Sequence, residues 1–244
     1  MDTASLAISL MALAFAAGVQ GFLGFGFGIV AMTILAFGFD LVHASGVVNL
    51  TALFVTVGML WRLRDAVLWR VAARMVPWIA LGVLAGVTAL GTLDRDIMLR
   101  SLGIVVIGLA AWNLIAPRLA TREPPIWIDA GVGMLGGALG GAFNTGGPPI
   151  IAHLYRRREG ADALRGTLQV LFLSISVLRA PVAWSQGLME APVWSHAAWG
   201  IPAVLLGQWV GAALGARLPA DRFRPVAWAA LALLGFVLVV RGAG

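Results

Sequence analysis

The sequence predicts an all-α, polytopic integral membrane protein made of two repeated, inverted halves. Each half opens with a glycine-rich broken helix or re-entrant hairpin and continues through three transmembrane helices. Three observations carry this. First, 60% of the 244 residues are hydrophobic and 11% charged, with a mean hydropathy of +0.93, whereas a soluble domain carries about 25% charged residues. Second, the apolar residues gather into eight segments, 4–39, 42–61, 75–93, 97–116, 126–155, 164–188, 193–216 and 223–240. Most are near the roughly 20 residues that one helical crossing of a core about 30 Å thick requires. Third, the first and fifth segments are the longest, and each is interrupted by a glycine run.

Taken in order, the first segment contains Gly18-Val-Gln-Gly21-Phe-Leu-Gly24-Phe-Gly26-Phe-Gly28 and lacks a basic leader, so it reads as mature structure rather than a cleaved signal. Gly costs about 1 kcal/mol against Ala inside a helix, so the run predicts a break between two arms. The next three segments read as single crossings, and the polar connector Pro117-Arg-Leu-Ala-Thr-Arg-Glu-Pro-Pro125 closes the first half. The fifth segment carries Gly136-Gly-Ala-Leu-Gly-Gly-Ala-Phe-Asn144-Thr-Gly-Gly-Pro148-Pro149, and Pro removes an amide donor that a helix interior needs. Broken backbone at membrane depth is tolerated only where protein buries it or where it lines a watery cavity. The last three segments read as crossings again. Trp61, Trp69, Trp127, Trp194 and Trp199 near segment ends suit an interfacial belt.

The halves, 1–120 and 121–244, align with each other. Gly18, Gly21 and Gly28 match Gly137, Gly140 and Gly147 at an offset of 119, Gly46 and Asn49 match Gly166 and Gln169 at 120, and Pro77, Gly82, Gly86 and Asp96 match Pro202, Gly207, Gly211 and Asp221 at 125. Arginine placement tests the topology. Eight single crossings divide the arginines of the breaks 7 against 9, which orients nothing. Hairpins at segments one and five instead put 13 on one side (Arg62, Arg64, Arg70, Arg74, Arg118, Arg122, Arg156, Arg157, Arg158, Arg165, Arg217, Arg222, Arg224) and Arg95, Arg100 and Arg241 on the other. The positive-inside rule favours the hairpins and makes the richer side cytoplasmic. Each half then has an odd number of true crossings, so the halves are inverted.

Composition also narrows the function. The charge of +6 comes from 17 basic residues, all Arg, against 11 acidic ones, and it sits in short breaks between apolar segments rather than on a soluble face, which excludes nucleic acid as the expected partner. Without Cys the chain has no disulfide or thiolate chemistry and leaves its redox compartment open. His43, His153 and His196 fall in different segments without metal-ligand spacing, and no nucleophile or nucleotide motif is present. The expectation is a protein that is no enzyme and needs neither cofactor nor metal. Its partners are the lipid bilayer and a small anionic substrate, with a homo-oligomer left open.

The glycine runs are the candidate site. If each hairpin presents the start of its returning arm near mid-membrane, amides and a dipole worth about half a positive charge face a common cavity, which suits an anion. Gly24, Phe25, Gly26 and Gly28 form one wall; Asn144, Thr145, Gly146, Gly147 and Pro148 form the other, with Asn144 and Thr145 as side-chain donors. Close helix packing through small residues is the competing reading, and it accounts for Gly133, Gly136, Gly137 and Gly140 without accounting for the Asn-Thr pair. Asn49 and Gln169 are buried amides that serve either a ligand or interhelical hydrogen bonds. Arg179 either serves the site or snorkels toward Gln186. Asp40, Asp129 and His153 are proton-coupling candidates, although His153 suits an interfacial place beside Tyr155 better than a relay.

At the run Gly21 to Gly28, at His43-Ala-Ser with Asn49, and at Gly140-Gly-Ala-Phe-Asn-Thr-Gly-Gly-Pro-Pro149, the sequence resembles the TauE/SafE family of sulfite exporters and related permeases along essentially its whole length. The resemblance implies a secondary transporter that exports a small sulfur-containing anion such as sulfite, sulfoacetate or another organosulfonate across the bacterial inner membrane. Membrane potential or a proton gradient would drive it. A passive anion channel and a non-transporting membrane scaffold are the competing classes. Neither glycine run contains a charged residue here, so anion binding would rest on amides, Asn144, Thr145 and Arg179.

Overall fold

A computed structural model describes residues 3–115, 126–155, 157 and 159–215, together with residues 229, 232–233 and 235–240 of the last stretch. The described residues are helical apart from the turns that join the helices, and none is in a strand: α1 (Thr3–Leu23), α2 (Phe27–Leu35), α3 (Leu41–Leu63, prolonged by a 3-10 turn, Arg64–Ala66), α4 (Trp69–Thr92), α5 (Arg95–Ile115), α6 (Ile126–Phe143), α7 (Gly147–Leu154), α8 (Ala161–Ser185) and α9 (Ala191–Gly215). Residues 235–240 are helical and pack on α5, where a Cβ at Gly103 would lie 2.5 Å from the Gly235 carbonyl oxygen. Among the described residues, six helices are long and apolar enough to cross a membrane: α1, α3 with its prolongation, α4, α6, α8 and α9. Large apolar side chains face outward, among them Trp61, Trp69, Trp127, Trp194 and Trp199, as lipid contact requires. The connector around Arg118 and Arg122, as well as Arg156, Arg158, Arg217, Asp221, Arg222, Arg224 and Arg241, lies outside the described residues.

The glycine runs break their segments where the sequence places the breaks. Gly24 and Gly26 take left-handed φ values of 88° and 108°, and Asn144 takes 54°, a region open to Gly and tolerated by Asn. Both broken segments are hairpins. Gly146 returns beside Gly136, where an added Cβ would meet the Gly136 carbonyl oxygen at 2.1 Å, and further down His153 reaches Asp129 at 2.5 Å. In the first hairpin Phe27 N–H returns to Gln20 Oε1 at 3.2 Å, and both Ser9 at the base of α1 and His43 beyond α2 meet His196.

Packing between the two parts of the chain is reciprocal. α1 lies against α9, α6 lies against α4, and α3 pairs with α8 between them. The first two seams are close backbone contacts: a Cβ at Gly211 would sit 2.0 Å from the Gly18 carbonyl oxygen, and one at Gly86 2.1 Å from that of Ala138. Gly133, Gly136, Gly137 and Gly140 are closely packed, with an added Cβ meeting a neighbour at 2.3–3.0 Å, and Gly82, Gly86, Gly207 and Gly211 pack as tightly, side by side with the breaks at the tips.

The prolines Pro77, Pro181 and Pro202 sit inside α4, α8 and α9 without ending them, as neighbouring helices permit in membranes. α4 also starts earlier than its apolar segment, at Trp69, and takes Arg70 and Arg74 into its first turns. Their long aliphatic stems make this compatible with the interface.

The chain ends of these elements fix which breaks share a face. Leu68 N–H donates to Thr167 Oγ1 at 2.9 Å, and a Cβ at Gly166 would lie 2.8 Å from the Leu63 carbonyl oxygen, so the α3–α4 turn and the start of α8 are at one end. Gln186 Nε2 donates to Thr88 Oγ1 at 3.1 Å at the opposite end. Arg62, Arg64, Arg70, Arg74 and Arg165 consequently share an end, which eight successive crossings would not allow.

Candidate functional site: a cavity between two hairpin tips

The two tips touch. An added Cβ at Gly28 would lie 1.8 Å from the Asn144 carbonyl oxygen, so only glycine lets the start of α2 approach the second tip. Beside this contact is a cavity of about 50 Å³ walled by Phe25, Gly26, Phe27, Gly28 and Ile29 from the first hairpin and by Asn144, Gly146, Gly147, Pro148 and Ile151 from the second. Gln20, Ala52 and Thr56, with Phe172, Ile175 and Ser176 from α8, complete it.

Donors at the cavity come from helix starts. Val30 N–H is bonded to the Gly26 carbonyl at 3.1 Å, so the amides of Phe27, Gly28 and Ile29 precede the first hydrogen bond of α2. Such amides carry the positive end of the helix dipole. α7 offers Gly147 N–H and then two prolines without donors.

Of the residues expected at the site, the structure brings Phe25, Gly26, Gly28, Asn144, Gly146, Gly147 and Pro148 to the cavity wall. Several of the expected polar groups are engaged within the protein. Asn144 Nδ2 is already engaged, donating to the Ser45 carbonyl at 2.9 Å and to Ser45 Oγ at 3.1 Å. Thr145 closes the end of α6, its amide donating to the Leu139 carbonyl at 3.3 Å. Asn49 Nδ2 donates to the Ser176 carbonyl at 3.3 Å, while its Oδ1 is buried without a partner. Gln169 ties the first tip to α8 through the Gly24 carbonyl at 2.9 Å.

Arg179 is 1% exposed and does not snorkel. Its Nε donates to the Gly141 carbonyl at 2.8 Å and its Nη2 to Ser45 Oγ, and Ser45 Oγ donates in turn to the Ala142 carbonyl at 3.2 Å. The guanidinium thus sits at the negative end of α6. It holds the second tip in place without lining the cavity.

The proton-coupling candidates separate. Asp40 is an exposed N-cap of α3, accepting from Val42 N–H at 2.8 Å. Asp129 and His153 are buried, at 1% and 3% exposure. Asp129 Oδ1 receives His153 Nε2 at 2.5 Å and Arg157 Nη2 at 3.0 Å, and Oδ2 has no partner. This cluster joins the start of α6 to the end of α7.

Sequence reasoning missed several residues. Gln20 was visible as the one polar residue of the first glycine run, and Ser45 lay in the His43-Ala-Ser string. Thr56 and Ser176 carried no signal, because single hydroxyls are common in membrane helices. The three His looked unconnected, yet His43 and His196 meet at 3.0 Å through Nε2 and Nδ1, and His196 Nε2 lies 2.7 Å from Ser9 Oγ. Among the described residues no cluster has the makings of a metal site.

The fold and the site define a class, a multi-pass α-helical membrane transporter with broken helices around a central cavity. The chain belongs to the sulfite exporter TauE/SafE family, which matches residues 10–238. It is 28% identical over 158 residues to the "Probable inner membrane transporter protein TsaS" of Comamonas testosteroni, a match covering 64% of this chain and 66% of that one. It is 29% identical over 196 residues to the "Probable sulfite/organosulfonate exporter TauE" of Cupriavidus necator, covering 77% of this chain and 75% of the relative. No solved structure matches the chain.

Proposed function

We propose that the chain is a secondary transporter of the inner membrane that exports a small sulfur-containing anion, sulfite or a short organosulfonate. The observation that carries this reading is the convergence of both hairpin tips, with the start of α2, on one small cavity. Helix starts stabilise anions without a full countercharge, and such a site binds strongly enough to select and weakly enough to release. The name of one relative gives the substrate class, sulfite/organosulfonate, and that of the other gives the inner membrane, and both support the reading.

In this reading the halves 1–120 and 121–244 are inverted repeats, the end carrying Arg62, Arg64, Arg70, Arg74, Arg157 and Arg165 is cytoplasmic, and α1 begins outside. Export of an anion then follows the inside-negative potential, worth about 2.3 kcal/mol per charge per 100 mV. Asp129 and His153 are the residues through which a proton would couple.

The test is flux into proteoliposomes with sulfite, sulfoacetate, taurine, thiosulfate and sulfate in parallel. Saturable, mutually competing flux of sulfite and sulfoacetate, with counterflow, is the expected result. Unsaturated flux of all the anions would identify a channel instead, and no flux of any would leave a scaffold.

A further inference from the structure

Beside the tip of the first hairpin, at the arginine-bearing end, lies a second and larger chamber of about 320 Å³. Arg62, Arg165 and Gln208 supply its polar lining, with Met59 and Trp209 among its apolar walls. Both arginines are exposed, and among the described residues no ion pair engages either. The Arg165 side chain crosses the tip, since a Cβ at Gly24 would lie 3.5 Å from its Cγ and its Nε.

The chamber and the central cavity are neighbours. On α3, Met59 lines the first and Thr56, less than one turn away, lines the second. On the first hairpin, Gly24 faces the chamber and Phe25 the cavity. A chain of hydrogen bonds closes the gap: Gln169 Nε2 donates to the Gly24 carbonyl at 2.9 Å, Gln20 Nε2 donates to Gln169 Oε1 at 3.3 Å, and Phe27 N–H donates to Gln20 Oε1 at 3.2 Å. The last bond is the informative one. Phe27 N–H is the first amide of α2, a donor of the kind that helix starts direct at anions. Here a neutral amide oxygen, buried to 4% exposure, occupies it.

We propose that the larger chamber is the antechamber of the central cavity, in which Arg62 and Arg165 gather a sulfonate or sulfite, and that Gln20 is a displaceable partition. Its Oε1 holds the place of a substrate oxygen on Phe27 N–H. An arriving anion takes over that donor, the Gln20 side chain swings away from Gln169, and the two spaces join. This rests on the central cavity being the anion site.

The chain has no Cys, so Thr56→Cys and Met59→Cys each report on one space when the protein, in nanodiscs, meets a small hydrophilic thiol reagent. Sulfoacetate is the anion used, because sulfite consumes such reagents. Cys at 59 is expected to react without anion and to be protected by sulfoacetate. Cys at 56 is expected to stay silent without anion and to become reactive when Gln20→Met removes the partition amide at nearly constant volume. Gln20→Met should also tighten sulfoacetate binding about 3- to 10-fold, the net worth of one hydrogen bond, and Gln20→Glu should abolish it by placing a carboxylate on the same amide.

Gln169→Met breaks the chain one link further on and carries the same labelling expectation if Gln20→Met folds poorly. Weaker sulfoacetate binding in Gln20→Met would make Gln20 a ligand and overturn the proposal, as would silence of Cys at 56 in both variants. Protection of Cys at 59 by anionic phospholipid but not by sulfoacetate would make the chamber a lipid-headgroup site and overturn it too. The labelling without anion tests the partition apart from any substrate. Labelling as expected, with neither sulfoacetate nor sulfite bound by the unmutated cavity, would sink the central-site reading instead.

Discussion

Arg179→Gln separates an anchoring guanidinium from a substrate-binding one. If Arg179 serves the site, as one of the two readings of the sequence has it, this change weakens anion uptake far more than it perturbs folding. The contacts of its side chain favour an anchoring role. Nε and Nη2 are engaged with the Gly141 carbonyl and Ser45 Oγ, both buried, and the side chain is absent from the cavity wall. A hydrogen bond to a charged group is worth about 1.5–3 kcal/mol, and a carbonyl left unsatisfied adds about 1–3 kcal/mol, partly offset because the variant no longer buries a charge. A net loss of about 3 kcal/mol follows, which for a chain of this size lowers the melting temperature by roughly 6–12 °C at about 2–4 °C per kcal/mol.

The assay is thermal unfolding in detergent followed by Trp fluorescence, with Ser45→Ala and the double variant completing a cycle. Because the two side chains share a bond, the cycle should show a coupling of about 1.5–3 kcal/mol, well above the few tenths that independent sites show. In the folded fraction the half-saturating anion concentration should move by less than about threefold, or roughly 0.7 kcal/mol. Melting within about 2 °C of the unmutated chain, under 1 kcal/mol, together with a tenfold or greater loss of apparent affinity, would refute the reasoning. It would assign the unpartnered Nη1 to the anion.

Three further outcomes follow from the same geometry. Gly86→Ala and Gly211→Ala place a methyl 2.1 and 2.0 Å from backbone oxygens, so each should cost more than the roughly 1–3 kcal/mol of ordinary overpacking and lose folded yield, measured by size exclusion; Gly131→Ala, with nothing within 4 Å, should be neutral or gain up to about 1 kcal/mol. Asn144→Ala loses two hydrogen bonds to Ser45 and puts Ala at φ 54°, so it should lose about 2–3 kcal/mol of stability, and an unchanged melting temperature with weakened anion binding would restore Asn144 as a direct ligand. Asp129→Asn leaves Arg157 and His153 facing a neutral amide and should cost about 3–5 kcal/mol; in the folded fraction, flux should respond to an imposed potential but no longer to a pH gradient, and a retained pH response would remove Asp129 from proton coupling.

Periodicity and glycine content made much of this fold legible, because helix length in a membrane follows from bilayer thickness and a helix break follows from Gly and Pro. The hairpins were legible from arginine placement, which records the side each break faces rather than any contact. The cavity wall was legible at Phe25, Gly26, Gly28, Asn144 and Gly146 to Pro148, since those residues shape the tips themselves. What stayed hidden was which buried polar groups face one another. Gln20 and Gln169 lie 149 positions apart and His43 and His196 153 apart, so no local pattern pairs them. Arg179 misled for the same reason: an apolar flank says that a cation is buried, and says nothing of the Gly141 carbonyl that receives it.

The contacts also indicate where this structure can yield. α1 and α6 are locked to α9 and α4 through backbone-to-backbone seams at Gly18, Gly207, Gly211, Gly82, Gly86 and Gly137, where no side chain intervenes and separation would strip long rows of dispersion contacts. The tips are held differently. Gln20, Gln169 and Asn144 make neutral hydrogen bonds of about 1 kcal/mol each, and donors and acceptors offered by a bound anion or by water can replace them. A rearrangement that opens the cavity therefore costs least if the seams stay intact and the tips move against α3 and α8. The first tip is tied to α8 by amide bonds through Gln20 and Gln169, while the second is pinned by the Arg179 guanidinium. The first hairpin is the side next to the arginine-lined chamber.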